Sequence, residues 1–141
     1  MARLKTSVGI WAFGPAVTRF MPAGYHPELA GRSLVDRVKW VVDGLGDWMD
    51  GYEFHYPGEI DEKSLPKIQR ALGKHDIYCI AGGLHCMPDL AQGGLTNPDA
   101  KRRRKAIDIV KRALDIAASV KARYIIWPGG EGYNYPFQVA Y

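Results

Sequence analysis

Glu53 and His55 stand two residues apart in the run Gly51–Pro57, GYEFHYP. Tyr52, Phe54 and Tyr56 occupy the alternate positions around them. Successive side chains of a strand point to opposite faces. A strand here therefore has one aromatic face and one face carrying a carboxylate and an imidazole. An imidazole with a pKa of about 6.5 suits general acid–base work near neutral pH. A carboxylate two residues earlier, on the same face, is placed to bond it or to shape its ionisation. Similar residues close the other apolar runs: Trp11 in WAFG, His85 in GGLH, and Trp127 and Glu131 in WPGGE. Such a mix fits a polyhydroxylated ligand, with aromatic faces stacked on sugar C–H groups and His and Glu bonding hydroxyls.

The intervening segments must bring these residues together. Ser7–Phe13 reads as a first strand ended by Gly14-Pro15, and a long Pro/Gly-rich loop follows. Ser33 is a candidate cap for a helix whose stripe is Val35, Val38, Val42 and Leu45. Asp61 or Glu62 is expected to open a second helix, with Leu65, Ile68 and Leu72 inward and Gly73 as its stop. IYCIAGG is the third strand. A third helix starts near Asp99 with the stripe Ile107, Val110, Leu114 and Ala117, and ARYIIWPGG is the fourth strand. The order βαβαβαβ predicts an α/β fold of parallel units. Working residues of such folds gather at the carboxyl ends of the strands, where His55 and His85 fall. With four strands, residues 1–141 read as a single domain matching the first half of a (β/α)8 barrel.

The bulk composition is that of a globular domain, 47% hydrophobic and 24% charged, and its net charge of +4 compels no nucleic-acid or membrane partner. Cys79 and Cys86 form neither a CxxC motif nor a Cys/His cluster, so neither zinc nor a disulfide framework is signalled, and free thiols in a reducing compartment are expected. Arg3 and Lys5 before VGIWAFGPAV loosely mimic a secretion signal, but the run is short and broken by Gly9, Gly14 and Pro15. The expected location is cytoplasmic. Lys101–Lys105, KRRRK, opposes the dipole at a helix N-terminus and reads as a solvated face or as cations paired with acidic groups.

Three stretches resemble the xylose isomerase-like (β/α)8 barrels. GIWAFG is similar to that family's first strand, whose Trp lines the sugar pocket, here Trp11. EFHYP resembles its second strand, whose His assists sugar ring opening, here His55. The segment from GGLHCMPDL to WPGGEGYNYP resembles its loop–helix–strand unit; there Trp127 is a pocket wall and His85 replaces an aromatic pocket residue. The resemblance implies a metal-dependent sugar isomerase or epimerase. His55 would be catalytic, and Trp11, Glu53, His85, Trp127 and Glu131 would bind substrate. A divalent ion (Mg, Mn or Co) would be held by later strands, with no ligand assigned in this chain. The implied partners are a sugar or glycoside and further copies or a second half-barrel, with no nucleic acid and no membrane. Two departures stand out. The family continues His-Asp-Asp-Asp, where an Asp orients the His, but this chain continues Tyr56-Pro57-Gly58; Gly130 replaces an Arg. A lyase acting on an oxidised glycoside and a non-catalytic half-barrel are the alternatives.

Overall fold

A computed structural model describes residues 3–17 and 22–127 of the chain. Among these residues four strands alternate with three α-helices: β1 (Ser7–Gly9), α1 (Leu34–Leu45), β2 (Gly51–Tyr56), α2 (Leu65–Leu72), β3 (Asp76–Gly82), α3 (Ala100–Ser119) and β4 (Arg123–Ile125). The strands form one parallel sheet in the order β1-β2-β3-β4. Spatial order follows chain order, so successive crossovers never reverse direction. Right-handed crossovers then put every helix on one face. That is the wall of a barrel; a doubly wound sheet reverses at a switch point. The expected α/β half-barrel is what the chain forms.

The aromatic face of β2 is the centre of the core. Tyr52 and Phe54 are 0% exposed and Tyr56 2%. They pack with Val38 and Val41 of α1, Ile68 and Leu72 of α2, and Ile109 and Ile116 of α3. Each such aromatic side chain contributes on the order of 2–3 kcal/mol by leaving water. Glu53 and His55 occupy the opposite face. The register runs Gly9–Glu53–Cys79–Arg123 along one row, and His55–Ala81–Ile125 along the next. An irregularity between Tyr52 and Glu53 lets β3 carry one extra residue, Tyr78.

The helix ends follow local chemistry. The Ser33 hydroxyl accepts from the Asp36 N–H, and the Asp99 carboxylate accepts from the Lys101 and Arg102 N–H groups. Gly73 ends α2 with a φ of 60°. Several boundaries and faces differ from expectation. β1 stops at Gly9, and Ile10–Phe13 coils into a 3₁₀ turn. α2 opens at Leu65, because the Asp61 carboxylate instead accepts from Lys63 and Ser64 N–H in a turn before the helix. In α1 the inward residues are Val38 and Val41, whereas Val35 lines a surface groove with Asp36, Lys39 and Arg70. In α3 the inward stripe is Ala106, Ile109, Ala113, Ile116 and Ala117, and Leu114 is 46% exposed. The inward stripe mixes alanines with Ile109 and Ile116, and Ala117 is the one residue it shares with the expected stripe. β4 spans Arg123–Ile125, shorter than expected: Ile126 and Trp127 follow it without strand pairing, and 128–130 lie outside the described residues.

Among the described residues the buried Tyr52 hydroxyl has no hydrogen-bond partner, and burial raises its pKa. Replacing it by hydrogen in Tyr52→Phe is therefore expected to leave stability unchanged or to raise it. Asp99→Ala, which removes a helix cap, is expected to cost about 1 kcal/mol. Urea unfolding followed by circular dichroism reads both; an equal loss in Tyr52→Phe would show that the hydroxyl has a partner.

Candidate functional site

Four rings succeed one another across the carboxyl ends of the strands. The 3₁₀ turn after β1 folds Trp11 back over Gly9, where a Cβ would stand 2.2 Å from indole carbons. Only glycine admits the ring there. The Trp11 and His55 ring centroids are 4.2 Å apart, those of His55 and His85 5.4 Å, and those of His85 and Trp127 6.0 Å. His85 reaches this line through another close approach. Gly83 donates its N–H to the Tyr56 carbonyl at 2.8 Å, and a Cβ on Gly83 would meet that same oxygen. Leu84, 6% exposed, then anchors the turn that carries His85 in the core. The structure thus brings together Trp11, His55, His85 and Trp127 as the sequence suggested.

Glu53 is placed differently. It lies on the face of His55 but one row deeper, where the Ser7 hydroxyl donates to its carboxylate at 2.5 Å. The carboxylate that meets His55 is Glu59. After β2 the chain doubles back, with the Glu59 and Ile60 N–H groups both donating to the His55 carbonyl, at 2.8 and 3.2 Å. This turn returns the Glu59 side chain to its own strand end. Its Oε2 accepts the His55 backbone N–H at 2.9 Å and lies 3.4 Å from His55 Nδ1. Its Oε1 accepts from Arg37 Nη2 of α1 at 3.3 Å. The side chains of His55, Glu59 and Arg37 are 18%, 13% and 15% exposed, so this group is largely out of water. The missing Asp after His55 is thus answered by a carboxylate four residues on. The visible signal was a Glu beyond the turn-forming Pro57-Gly58.

Burial, and next the charge of His55, lowers the His85 pKa, against a bond to the Gly82 carbonyl that raises it. His85 is then a neutral ring at neutral pH, able both to donate and to accept. Burial pushes the Cys79 thiol up to about 11, with Glu53's charge adding to it. Cys86 reaches solvent, yet the protein packed about its sulfur, and then Glu59, raise it too. Neither cysteine is an activated thiolate.

The β3–α3 loop is tied down by Asn97, 0% exposed, whose amide donates to the Gly93 carbonyl and whose oxygen accepts from Asp99 N–H. Two of the KRRRK cations hold the same loop: Arg103 donates to the Asn97 carbonyl and Lys105 to Asp89, each at 2.5 Å. Sequence reading passed over Asn97, because one Asn before a Pro reads only as a turn residue.

Among the described residues no three His, Cys, Asp or Glu side chains converge to hold a metal ion. Glu53 is engaged by Ser7, and Glu59 by Arg37 and the His55 N–H. These residues do not make up the ligand set of a divalent cation, which wants several oxygens at one point. Glu131 lies outside the described residues.

Because His85 binds its proton more weakly when folded than when unfolded, the unfolded chain takes up more protons as pH falls past the ordinary histidine range. The contribution of His85 to stability is thus present at neutral pH and lost on acidification. In NMR titrations His85 is expected to titrate below an exposed histidine, and His55→Gln to move it upward. An unchanged His85 titration in that variant would show that the two rings do not sense each other.

The family model described as Xylose isomerase-like TIM barrel matches residues 44–140, well over half of the 141. It takes in β2 to β4 with His55, His85 and Glu59, while β1, Trp11 and Arg37 precede it and join through parallel pairing and the contacts above. Among the described residues, no helix is long and apolar enough to cross a membrane. Strand order, the residues at the strand ends and the family match agree, and the chain belongs to the xylose isomerase-like TIM-barrel family.

Proposed function

We propose that this chain supplies the sugar-pocket half of a carbohydrate isomerase or epimerase. The observation that carries the reading is the line of rings Trp11–His55–His85–Trp127 at the strand ends, with a largely buried carboxylate behind His55. In this reading Trp11 and Trp127 stack on the C–H faces of a sugar. His55 faces the ligand with Nε2, its Nδ1 being turned to Glu59. From there the bare nitrogen takes the proton of the anomeric hydroxyl and returns it to the ring oxygen as the sugar opens, or moves one at the carbonyl end. Neutral His85 bonds a hydroxyl. Glu53, one row below, and Glu131 are the remaining substrate contacts. A divalent cation (Mg, Mn or Co) belongs to the reading as a group whose ligands come from outside the described residues; when bound it polarises sugar oxygens.

The reading places the protein in the cytoplasm, with no nucleic-acid or membrane partner. The exposed Ile125 and Ile126 at the β4 edge support pairing with further strands, from a second copy or a second half-barrel. A lyase acting on a 3-keto glycoside would use the same base to remove the proton next to the keto group. Turnover of aldoses and ketoses compared with 3-keto glycosides separates the two reactions.

His55→Gln is expected to lower isomerase turnover by about 100-fold or more, and chelation to remove it. Turnover retained in both experiments would overturn the proposal.

A further inference from the structure

His55 is held from two directions by the first βα unit. From the turn after β1 the Trp11 ring packs on it at 4.2 Å. From α1, Arg37 reaches it through Glu59. The two arms lie side by side: a Cβ built on Gly14, at the end of the Trp11 turn, would stand 3.4 Å from Arg37 Nη1. The groups facing His55 are Trp11, Glu59 with Arg37 behind it, and His85, and Cys86 lies within reach of the Glu59 charge.

We propose that Arg37 is a positioning residue: by holding one oxygen of Glu59 it aims the other at His55, fixing the imidazole as the Nδ1–H tautomer with Nε2 free towards the pocket. This rests on the reading of His55 as the acid–base group. Three observations carry it. Glu59 Oε2 is committed to the His55 strand end, by the backbone N–H at 2.9 Å and Nδ1 at 3.4 Å. A carboxylate accepts only, so the ring nitrogen that faces it carries the hydrogen. Arg37 Nη2 is the side-chain donor to the other oxygen, and among the described residues Arg37 Nε is buried without a partner. Among the described residues the guanidinium is thus directed at Glu59. A buried ion pair adds little net stability once its desolvation is counted, so its consequence here is the direction in which the carboxylate points.

The tautomer is read from the ring-nitrogen resonances of His55 in the ¹⁵N-labelled full chain. The wild type is expected to show Nδ1 protonated and Nε2 bare. Arg37→Met is expected to shift His55 towards the Nε2–H form that free histidine prefers, and Arg37→Lys to restore the Nδ1–H form in part. If Arg37→Met fails to fold with Glu59 left unpaired, Arg37→Met/Glu59→Gln removes that charge and is expected to fold with His55 as Nε2–H. An Nδ1–H signal undiminished in Arg37→Met or, where that variant does not fold, in the double variant would overturn the proposal. So would an Nε2–H signal in the wild type. None of these readouts needs a substrate. A chain with the expected tautomers but no sugar turnover would refute the functional reading and leave the role of Arg37 standing.

Discussion

The site depends on the burial of one face of β2. Tyr52, Phe54 and Tyr56 are nearly inaccessible to water, and together they fix which side of the strand meets the helices. A slip of one residue would turn all three outward and drive Glu53 and His55 into the apolar layer. Either change alone would cost several kcal/mol. The position of the imidazole is thus set by aromatic side chains that never touch it. β1 and β3 then add their residues in register, and the glycines at 9 and 83 let Trp11 and the His85 turn come close.

The electrostatics of the site follow from its depth. Glu59 and Arg37 are largely withdrawn from water, as is His55. In such surroundings a charge holds its partners firmly but is costly unless they are present. Glu59 meets that condition by accepting from both Arg37 and the His55 N–H. His85 meets it the other way, by staying neutral. One imidazole backed by a carboxylate and one held neutral make an asymmetric pair. Two histidines in a shared pocket can then take different parts in moving a proton.

Much of this was legible in the sequence. Alternation in GYEFHYP named the buried and the functional faces of β2, and apolar runs between amphipathic stretches named the parallel α/β order. The line of four rings followed from residues closing those runs. What was not legible has physical reasons. In α3 two stripes of helical period lie side by side, and periodicity does not say which of them faces the sheet. Trp11 lies in a 3₁₀ turn rather than in the strand, because Gly9 ends pairing and gives its space to the indole. The pairing of His55 with Glu59 instead of Glu53 depends on a turn that returns the chain upon itself, and Arg37 arrives from a helix 22 positions before Glu59. Long-range contacts of this kind leave no local pattern.

The most direct test of the sugar-pocket reading is a ligand titration followed residue by residue. Aldoses, ketoses and their phosphates would be added to the labelled chain while the indole resonances of Trp11 and Trp127 and the ring resonances of His55 and His85 are recorded. Concerted, saturable shifts of these four side chains, with the Lys39 and Arg70 groove between α1 and α2 unmoved, are the expected result. Saturable shifts confined to that groove or any other surface, with the four rings silent, would contradict it.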